Sequence, residues 1–285
     1  MTYLVAVPLR WVDLDTQGHV NNAVVADYLQ EARVAFLLSG DNAHMLGTTS
    51  IVVGHQVEFL RPISYAVEPV EVELSVGRVG AATVEIGYQV RHLGQPVARA
   101  RSLLATAVDG RPIRMTPAER AWFSAHRTEL EPLRNLGRWR VGEPACSFDF
   151  VVRWADLDQY GHVNNVRVFD YVAEARNHLI ADGADLTRMQ RATADGTTWL
   201  VARQDVEYLA EIRHRIESYR VRTAYARVGN SSITLVAQVE DPLTDRVHAR
   251  TLSVLVHGDV QGRPIPVPPE AHDGLVRWPA IAATR

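Results

Sequence analysis

The densest concentration of groups able to do chemistry is the run Arg10-Trp11-Val12-Asp13-Leu14-Asp15-Thr16-Gln17-Gly18-His19-Val20-Asn21-Asn22, and the chain carries it twice. It returns as Arg153-Trp154-Ala155-Asp156-Leu157-Asp158-Gln159-Tyr160-Gly161-His162-Val163-Asn164-Asn165, at a constant offset of 143 residues (158 less 15). The match continues through Asp27-Tyr28 and Glu31-Ala32-Arg33 into Asp170-Tyr171 and Glu174-Ala175-Arg176. Each run leads into a helical pattern, and a carboxylate just upstream of a helix is stabilised as the anion by the exposed N–H groups and the roughly +0.5 charge of the helix dipole. Asp15 and Asp158 are therefore expected to be ionised at neutral pH, which suits a nucleophile or general base and argues against a general acid. The N–H groups around Gly18-His19 and Gly161-His162 can receive negative charge developing on a carbonyl oxygen, and glycine lets that carbonyl approach the backbone. One such donor can be worth about 10²–10³ in rate.

Asp, Gly and Asn before a helix are also what a plain turn and cap require. A cap accounts for Asn22, Asn165 and the glycines. It does not call for Asp-x-Asp, Gly-His-Val and Asn-Asn together. Asp13 and Asp156 are expected to face solvent or pair with Arg10 and Arg153, His19 and His162 to support the turn or touch substrate, and Trp11 and Trp154 to join the core.

Other catalytic inventories fail. The chain has no Gly-x-Ser-x-Gly elbow, no phosphate-binding glycine loop of either common kind and no His-Glu-x-x-His. Its eleven histidines show no metal-ligand spacing. Cys146 is the sole cysteine, which excludes an internal disulfide and a multi-thiolate metal site, fits a reducing compartment and reads as a packing residue. A net charge of −3 with interspersed signs argues against a nucleic-acid or anionic-membrane surface. No apolar run approaches the roughly 20 residues of a membrane span, and the N-terminus lacks the pattern of a signal peptide, so the expected location is cytoplasmic.

The elements that must position these residues also come in two copies. Tyr3, Val5, Val7, Leu9 and Trp11 alternate as in a strand with one buried face, and Phe148, Phe150, Val152 and Trp154 repeat this. A helix over about 23–38 is apolar nearly all round, with a polar stripe through Asp27, Gln30 and Glu31, so it must be enclosed. Its second copy runs through Val166, Val168, Phe169, Val172, Ala173, Ala175, Leu179 and Ile180, with Asp170, Glu174 and Asn177 as the stripe. Asn21-Asn22 and Asn164-Asn165 stand where N-caps belong.

Strands follow. Val70 to Val76 and Val84 to Val90 alternate, and a third run covers Val97 to Val108, predicting antiparallel sheet with one wet face. The second copy now follows at an offset of 149: Val57-Glu58-Phe59-Leu60 becomes Val206-Glu207-Tyr208-Leu209, Arg78-Val79-Gly80 becomes Arg227-Val228-Gly229, and Ala100-Arg101 becomes Ala249-Arg250. The extra six residues are placed in a loop near Thr193 to Thr198. The halves close with Gly110-Arg111-Pro112-Ile113 and Gly262-Arg263-Pro264-Ile265. Thr116-Pro117-Ala118-Glu119 is a capping box opening a short helix to about His126, and residues 127–145 read as linker. The expected division is thus 1–109, a linker with a short helix over 110–145, 146–258, and a tail over 259–285.

Asp-Leu-Asp-x-x-Gly-His-Val-Asn-Asn, followed by Asp-Tyr and Glu-Ala-Arg, resembles the hotdog-fold thioesterases, nearest to the group holding 4-hydroxybenzoyl-CoA thioesterase, the short acyl-CoA thioesterases and the acyl-ACP thioesterases. The resemblance implies an α+β fold in which a long helix is wrapped by a curved antiparallel sheet, here as a double hotdog. It implies thioester hydrolysis without cofactor, CoA being part of the substrate, with Asp15 and Asp158 as catalytic carboxylates. Gly18, His19, Asn21, Gly161, His162 and Asn164 would bind the oxyanion and substrate. The acyl-ACP branch also uses an Asn two residues after the aspartate, where this chain has Gln17 and Tyr160, which points toward acyl-CoA with acyl-carrier protein as the second choice. Family members build each site across a pair of hotdogs, so two sites per chain are implied, with self-association through sheet edges.

Glu31 and Glu174 are candidate supporting carboxylates. Asn230, Ser231 and Ser232 stand where relatives meet the nucleotide part of CoA, although an ordinary hairpin turn explains them as well. Arg134, Arg138 and Arg140 could take CoA phosphates, but solvated linker charges are the expected reading. Two rival functions are a hydratase or dehydratase acting on acyl thioesters and a non-catalytic binder of acyl or CoA esters.

Overall fold

The computed structural model describes residues 2–40, 43–46, 50–108, 111–180, 196–259 and 261–283. The chain divides into two compact units, Met1–Leu133 and Arg134–Arg285. The first contains β1 (Tyr3–Val7), α1 (Asn22–Leu38), β2 (Ser50–Phe59), β3 (Val70–Val79), β4 (Thr83–His92), β5 (Gln95–Val108), the short β6 (Arg111–Pro112) and α2 (Pro117–Ala125). Its strands form an antiparallel sheet in the order β1-β3-β4-β5-β2, and α1 packs on β1 and β3. Alternation sets the faces: Val70, Val72, Leu74 and Val76 of β3 are fully buried, as are Ile86 and Val90 of β4. Only Glu31 and Leu38 of α1 are exposed.

The second unit contains β7 (Trp139–Val141), β8 (Cys146–Phe150), α3 (Arg167–Ile180), β9 (Thr197–Tyr208), β10 (Tyr219–Val228), β11 (Ser232–Asp241), β12 (Arg246–Asp259), α4 (Glu270–Arg277) and β13 (Ala280–Ala282). Its sheet runs β8-β10-β11-β12-β9, with α3 on β8 and β10. The two units therefore share one topology, the hotdog arrangement. Cys146 is buried in β8 within an apolar cluster of this unit.

The structure corrects several expectations. The first strand of each half stops at Val7 or Phe150 instead of reaching the tryptophan, because the chain curls into a 3-10 turn at Trp11–Asp13 or Trp154–Asp156. The turn carries the tryptophans outward: Trp11 is 73% and Trp154 77% exposed, so neither is core. Each instead meets one ring edge-on, Tyr65 at 5.3 Å and His214 at 5.4 Å.

The last strands are equivalent at an offset of 151 (249 less 98). Ala98 pairs with Phe59 and Ala249 with Tyr208, so Ala98-Arg99 corresponds to Ala249-Arg250, where the sequence comparison chose Ala100-Arg101. The reason is hairpin length. Leu93 and Gly94 make a two-residue turn with φ of 50° and 72°, the tight type whose twist suits a hairpin. Pro242 to Asp245 make a four-residue turn capped by Asp241, which accepts from Leu243 N and Thr244 Oγ1 at 2.9 Å each.

Thr197 and Thr198 begin β9 and are not loop; 193–195 and Gly110 lie outside the described residues. The capping box at Thr116 and Glu119 forms as expected, opening α2 at Pro117. Its counterpart was missed. In the stretch read as tail, α4 ends just before Pro279, whose bridge to Tyr225 matches that of Arg127 to Val76 after α2. Beyond it β13 pairs with β7, within what was read as linker. This pairing is tight: a Cβ on Gly142 would lie 2.2 Å from the Pro279 carbonyl oxygen. Because that neighbour is backbone and cannot rotate away, Gly142→Ala should cost about 1–3 kcal/mol. Urea unfolding checks the loss, and hydrogen exchange should speed up at residues 280–283.

Candidate functional site

Each repeated polar run folds as the same small loop. Leu14 bridges Val20 and Leu157 bridges Val163, Asp15 N donates to the His19 carbonyl at 2.7 Å, and Asp158 N to that of His162 at 2.8 Å. The reversal needs a left-handed residue, which Gly18 supplies at φ 77° and Gly161 at φ 76°.

The first aspartate of each run is the anchor. Asp13, 1% exposed, accepts from Arg10 N at 2.9 Å, Arg10 Nη2 at 2.8 Å and Tyr28 Oη at 2.8 Å. The expected pairing with Arg10 is thus present. Asp156 accepts from Arg153 N at 2.9 Å and Tyr171 Oη at 2.8 Å. Burial, and then donation to the carboxylate, push both phenols above the ordinary tyrosine range. The tyrosine of the repeated Asp-Tyr, which sequence reasoning left without a role, therefore tethers the loop to its helix.

Asp15 and Asp158 are half-buried and stand differently. Asp15 Oδ1 accepts from Gln17 N at 2.8 Å and His19 N at 3.3 Å; Asp158 Oδ1 accepts from Tyr160 N at 2.9 Å and His162 N at 3.3 Å. In each carboxylate Oδ2 has no partner among the described residues.

The same bonds alter the oxyanion assignment. Gly18 N donates to the Asp15 carbonyl at 3.0 Å and Gly161 N to the Asp158 carbonyl at 3.1 Å, while the histidine amides are committed to Oδ1. The loop amides expected to be free are therefore occupied. Asn21 Oδ1 caps α1 by accepting from Ala23 N at 2.9 Å, and Asn164 Oδ1 accepts from Val166 N at 3.3 Å. The cap of α1 is thus Asn21, one residue earlier than Asn22. The backbone amides of Asn22, the first residue of α1, and of Asn165, in the turn that leads into α3, have no acceptor among the described residues.

The halves differ at the histidines. His162 Nε2 lies 3.4 Å from Glu211 Oε2; the position equivalent to Glu211 in the first unit is Pro62. Glu31 and Glu174 are exposed and stand two to three turns down their helices from the loops. Asn230, Ser231 and Ser232 form the β10–β11 turn, closed by Gly229 N donating to Ser232 O at 2.7 Å. Their side chains are exposed or half-buried. Arg134, Arg138 and Arg140 are exposed.

Sequence reasoning gave no role to Arg33 and Arg176 of the repeated Glu-Ala-Arg. Each is 6% exposed, with a buried Nη1 that has no partner among the described residues, and burial pushes the Arg176 guanidinium down to about 10. An arginine on the otherwise apolar, buried face of the helix was the available signal. Among the described residues, no group of three or more His, Cys, Asp or Glu is placed to hold a metal ion, and no helix is long and apolar enough to cross a membrane.

The anchoring role predicts a stability split. Tyr28→Phe removes one bond from a buried carboxylate and should cost about 1–3 kcal/mol, whereas Trp11→Ala, on an exposed side chain, should stay within about 0.5 kcal/mol. Urea denaturation of the two variants measures both.

Among known proteins, the family model described as the thioesterase-like superfamily matches residues 9–123 and 152–275, one match per repeat. No curated protein matches. Similar solved structures include one from Lactobacillus plantarum provisionally designated an oleoyl thioesterase, at 14% identity and TM-score 0.73, covering 94% of this chain and 98% of that one. The 12:0-ACP thioesterase from Umbellularia californica is similar at 18% identity and TM-score 0.67, covering 89% and 96%. An acyl-ACP thioesterase from Bacteroides thetaiotaomicron gives 15% identity and TM-score 0.66 over 90% and 97%.

Proposed function

Since this chain belongs to the thioesterase-like superfamily and is a thioester hydrolase of two hotdog repeats, we propose that its substrate is an acyl-CoA, cleaved to a carboxylate and free CoA with Asp15 and Asp158 as the reacting carboxylates. The observation that carries this reading is the asymmetry within each carboxylate: Oδ1 is held by two loop amides and Oδ2 has no partner among the described residues. A carboxylate fixed by one oxygen presents the other in a set direction. Oδ2 either attacks the thioester carbonyl carbon, giving a mixed anhydride that water then hydrolyses to the free acid and the restored aspartate, or takes a proton from the water that attacks.

Charge then develops on the carbonyl oxygen. The amide of Asn22, at the positive end of the α1 dipole, and that of Asn165, in the turn leading into α3, are the donors we assign to it. The C–S bond breaks as the tetrahedral intermediate collapses, and the thiolate leaves. His19 and His162 serve through their amides in orienting the carboxylate. CoA is preferred over acyl-carrier protein because Gln17 and Tyr160 replace the asparagine of the acyl-ACP branch. The β10–β11 turn with Asn230, Ser231 and Ser232 is our candidate for the nucleotide part, the cytoplasm our assigned location, and association through sheet edges the expected assembly.

Thiol release from a panel of CoA esters tests this. Asp15→Asn combined with Asp158→Asn keeps an Oδ1 acceptor for the loop, so the melting temperature should hold while turnover falls on the order of 10²–10⁴-fold. Each single variant should leave the other half's activity. Unchanged thiol release in the double variant would sink the assigned roles, and water addition to an enoyl ester without thiol release would favour a hydratase.

A further inference from the structure

Seven hydrogen-bonding side-chain atoms of the second unit are buried with no partner among the described residues, and Asn165 Oδ1 and His248 Nε2 apart, five remain: Arg176 Nη1, Gln204 Nε2 and Oε1, Thr223 Oγ1 and Thr251 Oγ1. Their residues are 6%, 0%, 3% and 3% exposed. They are not scattered. Thr223 of β10, Ala237 of β11 and Thr251 of β12 stand directly opposite one another in a single row. Val206 of β9 continues that row, and Gln204 lies two residues from Val206, hence on the same face and diagonal to Thr251. Arg176 lies on the buried face of α3, two residues before His178, whose ring is 5.6 Å from that of Phe148. Phe148 pairs with Val221, two residues before Thr223, which brings the arginine's stretch of helix to the level of this row.

The first unit has the equivalent buried arginine, Arg33, its Nη1 likewise without a partner among the described residues, but its row is filled. Its equivalents are Leu74, Tyr88 and Ala100, again in register. The Tyr88 phenol occupies the centre and accepts from Ser102 Oγ at 3.1 Å, which in turn lies 2.8 Å from His55 Nδ1. In the second unit the phenol is replaced by the methyl of Ala237, its flanking apolar residues become threonines, and His55 becomes Gln204. Bulk has been removed and hydrogen-bonding capacity added around a buried cation.

A buried cation with unpaired neighbours destabilises a fold unless something completes it. The unmet atoms are mostly donors: a guanidinium nitrogen, an amide nitrogen and two hydroxyls, against one obligate acceptor. Water could accept from these donors, whereas a carboxylate would also bring the compensating charge. We propose that this niche binds a carboxylate and that the second unit therefore takes a thioester whose acyl chain ends in a second, free carboxylate. The substrate half of this proposal rests on the hydrolase reading above; the carboxylate-binding half does not. Arg176 lies roughly 14 Å along α3 from its start at Arg167, so a chain reaching from the Asp158 loop must be long.

Two measurements separate the halves. Calorimetry compares binding of dodecanoate, whose single carboxylate suffices, with binding of uncharged dodecanol. Dodecanoate should bind at least tenfold more tightly, and both Ala237→Tyr and the isosteric pair Thr223→Val with Thr251→Val should weaken it on the order of tenfold or more. Equal binding of the alcohol, or unchanged binding in both variants, overturns the niche and leaves ordered water as its occupant. In an Asp15→Asn background, kcat/KM for dodecanedioyl-CoA should then exceed that for dodecanoyl-CoA at least tenfold, and the ratio should collapse in both variants. A niche that binds while no thioester is cleaved overturns the hydrolase reading alone; cleavage without preference overturns the role in substrate choice.

Discussion

The loop that presents the candidate chemistry exists because a buried carboxylate is pulled from two sides. Asp13 joins the backbone and guanidinium of Arg10, at the entry to the 3-10 turn, to the hydroxyl of Tyr28, on the helix. Removing any arm would leave a charge buried with less than it needs, a larger loss than an exposed ion pair could cause. The constraint acts on geometry as much as on stability. It ends the strand, forms the 3-10 turn, turns the tryptophan to solvent and sets the distance at which the second aspartate meets the helix.

The chain therefore uses neighbouring aspartates for opposite purposes. Asp13 has all its capacity consumed inside the protein, whereas Asp15 is held by one oxygen and open at the other. The donors that hold it come from the loop itself, so the Gly18 and His19 amides are taken up within the loop. In the proposed reaction, stabilising the substrate's carbonyl oxygen falls to the Asn22 amide at the start of the helix, which has no intrahelical acceptor by construction. Positioning and charge stabilisation are thus divided between loop and helix tip.

Much of this was legible in the sequence, for reasons that differ by element. The α1 and α3 periodicity, the alternation of β3 and β4 and the capping box at Thr116 are local patterns, and local patterns survive in sequence. The exposure of Trp11 was not legible, because it depends on the Asp13–Tyr28 bond across fifteen residues of chain. A hydrophobic side chain at the end of an alternating run looks like core until that bond bends the run away. Register failed where hairpin length changed: two extra residues after Asp241 moved β12 past its naive partner, and an Ala-Arg pair two residues off disguised the slip. The helix α4 was missed because the capping signature of its counterpart α2 was not duplicated with it; Pro269 at its N-cap makes no side-chain bond.

Duplication also explains why the two inner faces can differ so much while the loops do not. The loop must satisfy Asp13 or Asp156, a left-handed glycine and a helix cap together, and a change at any one unseats the others. Inner-face positions such as Tyr88 and Ala237 answer only to the volume and polarity of their neighbours. A tyrosine that closes a polar network in one unit can become an alanine in the other if what it filled is filled by something else. Residues held by several bonds keep the machinery common to both units, and residues held by packing alone are where the units are free to diverge.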